Sequence, residues 1–219
     1  MVVHCRARRE DAERVAASIA DDGGRALVVQ GDVADPADVA RMLAEVDAFA
    51  GPRGLHVLFN NAGIYPEGSL ESLTLEDWER VLAINVRGPF LVTKAALPLL
   101  ERAGGSRVIT IGSVMSYLGT PGMLHYATSK AAIIGFTRCL ARELADRGIT
   151  VNCVVPSMVA TETALADYPG AEERAIRQQA IKRFQQPEDL VGALVFLASS
   201  ASSFMTGQTL VVDGGRVLL

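Results

Sequence analysis

Short runs of β-branched and aliphatic residues alternate along the whole chain with longer segments of helical period. No other feature constrains the fold as much. Strands joined by helical segments pair in parallel, with the helices packed on the faces of the sheet. Residues 2–5 read as a first strand, and residues 9–20 as a helix with Ala12, Val15, Ala16 and Ile19 on one face and Gly23-Gly24 at its end. A second strand spans 26–30. Pro36, with Asp35 as N-cap, then opens a helix that buries Val39, Leu43 and Val46. Residues 57–59 form a third strand that runs into Asn60-Asn61-Ala62-Gly63. Residues 75–102 are largely helical with a break near Asn85 and Pro89, and 107–111 is a strand that stops at Gly112-Ser113. A long helix covers 126–147, ending before Gly148, and a strand over 150–155 is closed by Pro156. Residues 157–169 lack a period and read as a loop, and a short helix follows over 172–181. Pro187 opens a helix reaching Ala198, and 209–212 is the last strand. No repeat, low-complexity tract or linker interrupts this order, so residues 1–219 are read as one α/β domain with a mostly parallel sheet.

Charge and cysteine content exclude several function classes. The 219 residues carry 21 Lys and Arg against 25 Asp and Glu, a net charge of −4. That balance leaves no basic stripe for nucleic acid. Cys5, Cys139 and Cys153 are odd in number, scattered and without C-x-x-C spacing, which argues against a disulfide framework or a zinc cluster. No apolar run approaches the roughly 18 residues of a membrane span. Residues 1–10 turn Arg-rich after four residues and form no signal-peptide core. The expectation is a soluble protein of the reducing cytoplasm, with neither nucleic acid nor membrane as partner.

In an open parallel sheet, ligands bind beyond the carboxyl ends of the strands, so residues that follow strands are weighed first. Asn60-Asn61-Ala62-Gly63 is small enough to let backbone approach a flat ring or a phosphate, and reads equally as a turn. Gly31-Asp32-Val33 follows the preceding strand in the same way; Asp32 suits an adenine amino group or a helix entry. Tyr126 and Lys130 are more informative. Positions i and i+4 share a helix face, and unit charges about 4 Å apart at an effective dielectric of about 20 interact by ~4 kcal/mol. That is about three pKa units, enough to bring a phenol toward neutrality as an acid or base. Ser113, thirteen residues before Tyr126, offers a hydroxyl for a carbonyl oxygen. Asn85 could position a water behind Lys130. Each also has a plain structural reading, as a turn Ser, a helix-end Asn and a Tyr beside an extended Lys. His125 adjoins Tyr126 on a different helix face and reads as solvent-facing or at the cleft rim. His4 and His56 stand alone, without metal spacing. Trp78 reads as a core or interface anchor. Arg6, Arg8 and Arg9 cluster where a strand gives way to a helix and suit either a phosphate partner or solvent.

With these residues set out, the sequence resembles the short-chain dehydrogenase/reductase family, in its 3-oxoacyl-carrier-protein reductase-like branch, over nearly its whole length. Asn60-Asn61-Ala62-Gly63, Ile84-Asn85-Val86, Ile111-Gly112-Ser113-Val114 and Tyr126-Ala127-Thr128-Ser129-Lys130 match the family's elements. So does the tail Pro187-Glu188-Asp189, Phe196-Leu197-Ala198-Ser199, Thr206-Gly207-Gln208 and Val212-Asp213-Gly214-Gly215. The resemblance implies a Rossmann-like doubly wound parallel sheet and a catalytic set of Asn85, Ser113, Tyr126 and Lys130. In it Ser113 and Tyr126 hold the substrate oxygen, Tyr126 moves the proton, Lys130 binds the nicotinamide ribose, and Asn85 holds a relay water. It further implies cofactor contacts by Asp32 and Val33 at adenine, by Asn60, Ala62 and Gly63 at the adenosine ribose, and by Pro156, Val159 and Thr161 at the nicotinamide. The implied reaction interconverts a ketone and a secondary alcohol, a 3-oxoacyl thioester or a small cyclic or aromatic alcohol being the substrate. The alternative is a cofactor-free relative acting through protein contacts alone. Ile133, Ile134, Phe136 and Leu140 widen the apolar face of the long helix, and the resemblance implies a homotetramer while the sequence also permits a dimer.

Two departures stand out. Pro156-Ser157 replaces the family's usual Pro-Gly. The family's first strand and its T-G-x-x-x-G-x-G loop, which cradles the pyrophosphate, do not occur in these residues. Without that βα unit the sheet is expected to carry a slot in its middle, and a complete form is expected to hold roughly 30–35 further residues, about one βα unit. Where an NAD enzyme carries an acid for the ribose 2′-hydroxyl, this sequence has His4, Cys5 and Arg6. The expectation is therefore NADP, read by Arg6, with NAD as the other option.

Overall fold

Among the described residues six strands run parallel, all but the third forming where β-branched residues cluster, yet they build two sheets rather than one. The computed structural model describes residues 1–168 and 170–218, the side chains of Asp167 and Ala171 excepted. β1 (Val2–Cys5) pairs with β2 (Leu27–Gln30), Val3 lying opposite Val28. β3 (Val57–Asn60), β4 (Arg107–Ile111), β5 (Thr150–Pro156) and β6 (Thr209–Val212) form the second sheet in that order. Among the described residues no strand lies between β1 and β3. The expected slot is there, and each of those strands presents a ladder edge without a strand partner.

Helices bridge the two sheets. α2 (Pro36–Ala50) starts where its sequence predicts, with the Asp35 carboxylate accepting from the amides of Ala37 and Asp38. It packs on α4 (Gly88–Ala103), and Val29, Val39, Met42, Val46 and Leu99 close one buried cluster between them. α1 (Arg9–Asp21) forms as expected, but only Ala12 of its stripe is buried; Val15 is 50% exposed. The two-stranded sheet offers it too little surface. β5 is the innermost strand: Val151, Cys153, Val154 and Val155 are fully buried, as a strand covered on both faces requires.

The region expected to be helical with a break resolves into three pieces. α3 (Leu75–Leu82) opens on a capping box between Thr74 and Asp77. A π-helical turn, Ala83–Arg87, widens the helix around Asn85, and α4 continues from it. Trp78 is half-buried rather than a core anchor. After β4 come α5 (Met115–Leu118) and the long α6 (Leu124–Leu144), which starts two residues earlier than its apolar period suggests and hands over to a 3₁₀ turn, Ala145–Arg147. His125 is corrected: it is 1% exposed, because this early start places it inside the fold. Ile133 and Ile134 are buried within the chain itself, so of the widened apolar face only Phe136 and Leu140 remain half-exposed.

The 157–169 segment is also corrected. It holds α7 (Glu162–Asp167), capped by the Thr161 hydroxyl accepting from the Ala164 amide at 3.2 Å. Six residues are too few to reveal a period. Pro169, the expected end of that loop, lies outside the described residues. α8 (Ala171–Gln178) and α9 (Glu188–Ala198) complete the chain. Among the described residues no helix is long and apolar enough to cross a membrane.

Candidate active site

The ends of β3, β4 and β5 and the first turns of α6 converge at one edge of the larger sheet. Gly112 makes the exit from β4: a Cβ there would meet Val155 Cγ2 at 2.7 Å and Cys153 Sγ at 3.1 Å. Its bare backbone lies against β5, donating to Val154 O at 2.8 Å. That turn delivers Ser113, 7% exposed, to the side of the Tyr126 phenol, on whose acidity its hydroxyl acts. One turn along α6, Lys130 is 6% exposed; its Nζ donates to Ile111 O at 2.9 Å and stands 5.9 Å from the centroid of the Tyr126 ring.

The widened π turn aims Asn85 into the same region. Its Oδ1 accepts from the Ile64 amide at 2.9 Å, and its Nδ2 donates to Ile64 O at 2.8 Å and to Ser129 Oγ at 3.0 Å. Ser129 in turn donates to Tyr126 O at 2.7 Å. Asn85 thus ties the turn after β3 to the helix that carries Tyr126 and Lys130. Both its amide hydrogens are taken by protein atoms, so to a water it offers acceptors alone. Gly63 closes the arrangement; a Cβ there would lie 3.2 Å from Asn85 Oδ1 and 3.5 Å from Lys130 Nζ.

The electrostatics differ from the expectation. Burial holds the Tyr126 phenol above its ordinary value; the neighbouring Ser113 hydroxyl opposes that rise and Tyr65, edge-on at 6.3 Å, adds to it. Lys130 does not pull the phenol toward neutrality. Its own burial lowers it to about 8, its Nζ is bonded to Ile111 O, and it faces the ring rather than the oxygen. In this structure the phenol is an acid that keeps its proton at neutral pH.

Tyr126 and Ser113 open on a cavity of about 300 Å³. Its walls include Tyr65, Met115, Met123, Met158 and Tyr168, with the Tyr168 hydroxyl donating to Tyr65 O.

Comparison with known proteins gives the family. The model described as enoyl-(acyl carrier protein) reductase matches residues 1–216. A 3-oxoacyl-[acyl-carrier-protein] reductase of Synechocystis sp. is 40% identical over 209 residues, 94% of this chain and 82% of the relative. An inactive 2-(S)-hydroxypropyl-CoM dehydrogenase 2 of Xanthobacter autotrophicus is 39% identical, covering 95% of this chain and 91% of its own. A short-chain dehydrogenase of Burkholderia cenocepacia, solved in complex with NADP, superposes with a TM-score of 0.92 at 36% identity, covering 98% of this chain and 86% of that one. The chain belongs to the short-chain dehydrogenase/reductase family. It is an oxidoreductase by that membership.

The residues present fit the two ends of the dinucleotide that members of this family are expected to use. At one end, Lys130 is a buried cation with no carboxylate partner among the described residues, and it has donors left beyond its bond to Ile111 O. At the other, Arg6, Arg9, Asp32 and Arg41 line a surface hollow. Arg41 is held by Asp38 and Glu45 and Arg9 by Glu13, whereas the guanidinium of Arg6 only reaches Asp32 at 4.0 Å. Arg6 is the cation free to meet a phosphate. Val33 instead packs on Gly88, where a Cβ would meet its Cγ2 at 2.8 Å. Asn60 Nδ2 donates to Thr93 Oγ1 at 3.0 Å, a clip to α4. Ala62 is half-buried in the turn. Pro156 ends β5 opposite Val212, Val159 bridges to Gln185, and the Thr161 hydroxyl is engaged as the α7 cap. Between the two ends the described residues supply no glycine-rich turn for a pyrophosphate.

Met158 and Tyr168 come from the 157–169 segment, expected to shape the substrate side, whereas Tyr65, Met115, Met123, Arg174 and Arg216 escaped the sequence reading. They come from distant segments, and only the fold gathers them. Ser129 stood inside a recognised motif without an assigned part; its place directly before Lys130 was the available signal.

Proposed function

We propose that the chain interconverts a ketone and a secondary alcohol with NADP as cofactor. The observation that carries this reading is the convergence of Ser113, Tyr126 and Lys130 at one apolar cavity. A bound nicotinamide supplies the hydride chemistry. The chain's own residues do the rest. The Ser113 and Tyr126 hydroxyls hold the carbonyl oxygen, and the Tyr126 phenol, kept protonated by burial, donates its proton to the developing alkoxide. Lys130 would hold the cofactor's ribose with its remaining donors, and Asn85 fixes the backbone at 63–64 beside it. Arg6 favours the 2′-phosphate of NADP. The substrate is a small ketone or, as the Synechocystis relative's name suggests, a 3-oxoacyl thioester. Assembly as a homo-oligomer, dimer or tetramer, and residence in the cytoplasm belong to the same reading; three free cysteines support the latter.

A second reading has its own support: a cofactor-free family member acting through protein contacts. One similar protein is named inactive. Titrating NADPH fluorescence with the purified chain separates the two. Saturable binding, followed by ketone-dependent NADPH oxidation, supports the enzyme; no binding at millimolar NADPH supports the alternative. A preference of about tenfold for NADH over NADPH would remove the part given to Arg6.

A further inference from the structure

Ser157, which stands where the family usually has glycine, is 8% exposed, and its hydroxyl meets Arg216 Nη1 at 3.2 Å. The same guanidinium is gripped from the other side by Gln178, whose Oε1 accepts from Nε at 3.0 Å and from Nη2 at 2.6 Å. These bonds occupy three of the five guanidinium N–H groups and leave two donors, one on each terminal nitrogen, for an anionic partner. Among the described residues no carboxylate comes within salt-bridge distance of Arg216. Asp213 acts on it only from farther off, its oxygens accepting from the amides of Gly215 at 2.8 Å and Val217 at 2.7 Å. Arg216 is therefore a half-buried cation, held in one orientation and lacking a counter-ion.

It also stands in the wall of the cavity that Ser113 and Tyr126 open on. The link is short through the backbone, since the Val114 amide donates to Pro156 O at 3.2 Å, placing the Ser113 turn beside Ser157. Arg174 adds a second cation to the lining and Glu67, exposed, the one carboxylate. The remaining walls are three tyrosines, three methionines and three aliphatic side chains, with four Ser and Thr hydroxyls among them. A site of this kind fits a compact ligand with an apolar body and one anionic end.

We propose that Arg216, oriented by Ser157 and Gln178, binds a carboxylate of the substrate, so that the ketone this site takes is a small oxo acid. The proposal rests on the reading of the cavity as the place of carbonyl reduction. It assigns Ser157 a purpose: the added hydroxyl helps aim the guanidinium.

The test is calorimetric titration of the full chain, with and without NADPH, by 2-, 3- and 4-oxopentanoate and by the methyl ester of each. At least one acid is expected to bind about tenfold or more tightly than its ester. R216Q should erase that margin, and S157G, which keeps the charge but loosens it, should narrow it several-fold. Binding of every acid within twofold of its ester overturns the proposal, as does a margin that survives in R216Q. Should R216Q not fold, the wild-type comparison and S157G decide. NADPH oxidation measured with the same compounds separates the two levels. Discrimination in binding without any turnover removes the catalytic reading, and turnover that ignores the carboxylate removes the subsite.

Discussion

At the residue scale the site turns on how burial divides protons between Tyr126 and Lys130. The phenol is raised and the ammonium lowered to about 8, both by burial first. A raised phenol keeps its proton across the neutral range, so ketone reduction should hold level through neutral pH and fall only in alkali. Alcohol oxidation, which needs the deprotonated oxygen, should climb with pH; kcat/KM profiles in both directions check this. Y126F removes the proton donor and is expected to lower reductive kcat/KM by about 10²- to 10⁴-fold, with folding monitored by circular dichroism. Lys130 also makes a stability prediction. Because its folded value is lowered, the unfolded chain binds more protons between about pH 8 and 10.5, so stability rises with pH across that window and is fully penalised below it. Urea midpoints at about pH 7.5 and 9.5 should gain more in the native chain than in K130M, the buried Cys153 thiol and Tyr126 phenol, both raised, acting in the opposite sense in each.

At the element scale the π turn is what makes Asn85 a clamp. A regular α-helix through Ala83–Arg87 would rotate that side chain away from Ile64 and Ser129. N85A leaves the half-buried amide and carbonyl of Ile64 without their side-chain partner and is expected to cost about 1 kcal/mol of stability. An unfolding midpoint unchanged from the native chain would show that the clamp is not structural. Much at this scale was legible beforehand. β1, β4 and β6 start and stop where their β-branched runs do, and the Asp35-Pro36 pair marks the entry to α2. The break at Asn85 was legible too, but not its kind, because π geometry leaves no residue-type signature. α7 escaped notice for its brevity, and the burial of His125 because α6 begins upstream of the period used to find it. Ser113, Tyr126 and Lys130 were legible as a set through their spacing. Arg216 was not: what makes it part of the site is its contact with Ser157, fifty-nine residues away.

For the whole molecule, the division of the sheet is the feature with the widest consequence. A two-stranded parallel ribbon of four-residue strands has little stability of its own. Here β1 and β2 are held to the larger sheet through side chains, chiefly where Leu99 of α4 meets Val29, Val39, Met42 and Val46. The strand order could be foreseen, and with it the slot. That helices alone would bridge it could not, because the cluster joins residues from β2, α2 and α4 that share no local pattern. Backbone amides of β1 and β2 should therefore exchange hydrogen faster than those of β4 and β5, which have strand neighbours on both sides. L99A, which empties a site only 4% exposed, should cost about 2–5 kcal/mol and speed exchange in β1 and β2 far more than in β4 and β5. Hydrogen exchange read by mass spectrometry decides this. If L99A lowers protection in all six strands to the same degree, the two sheets unfold as one unit, and the packing of α2 on α4 is then not the weak joint of the fold.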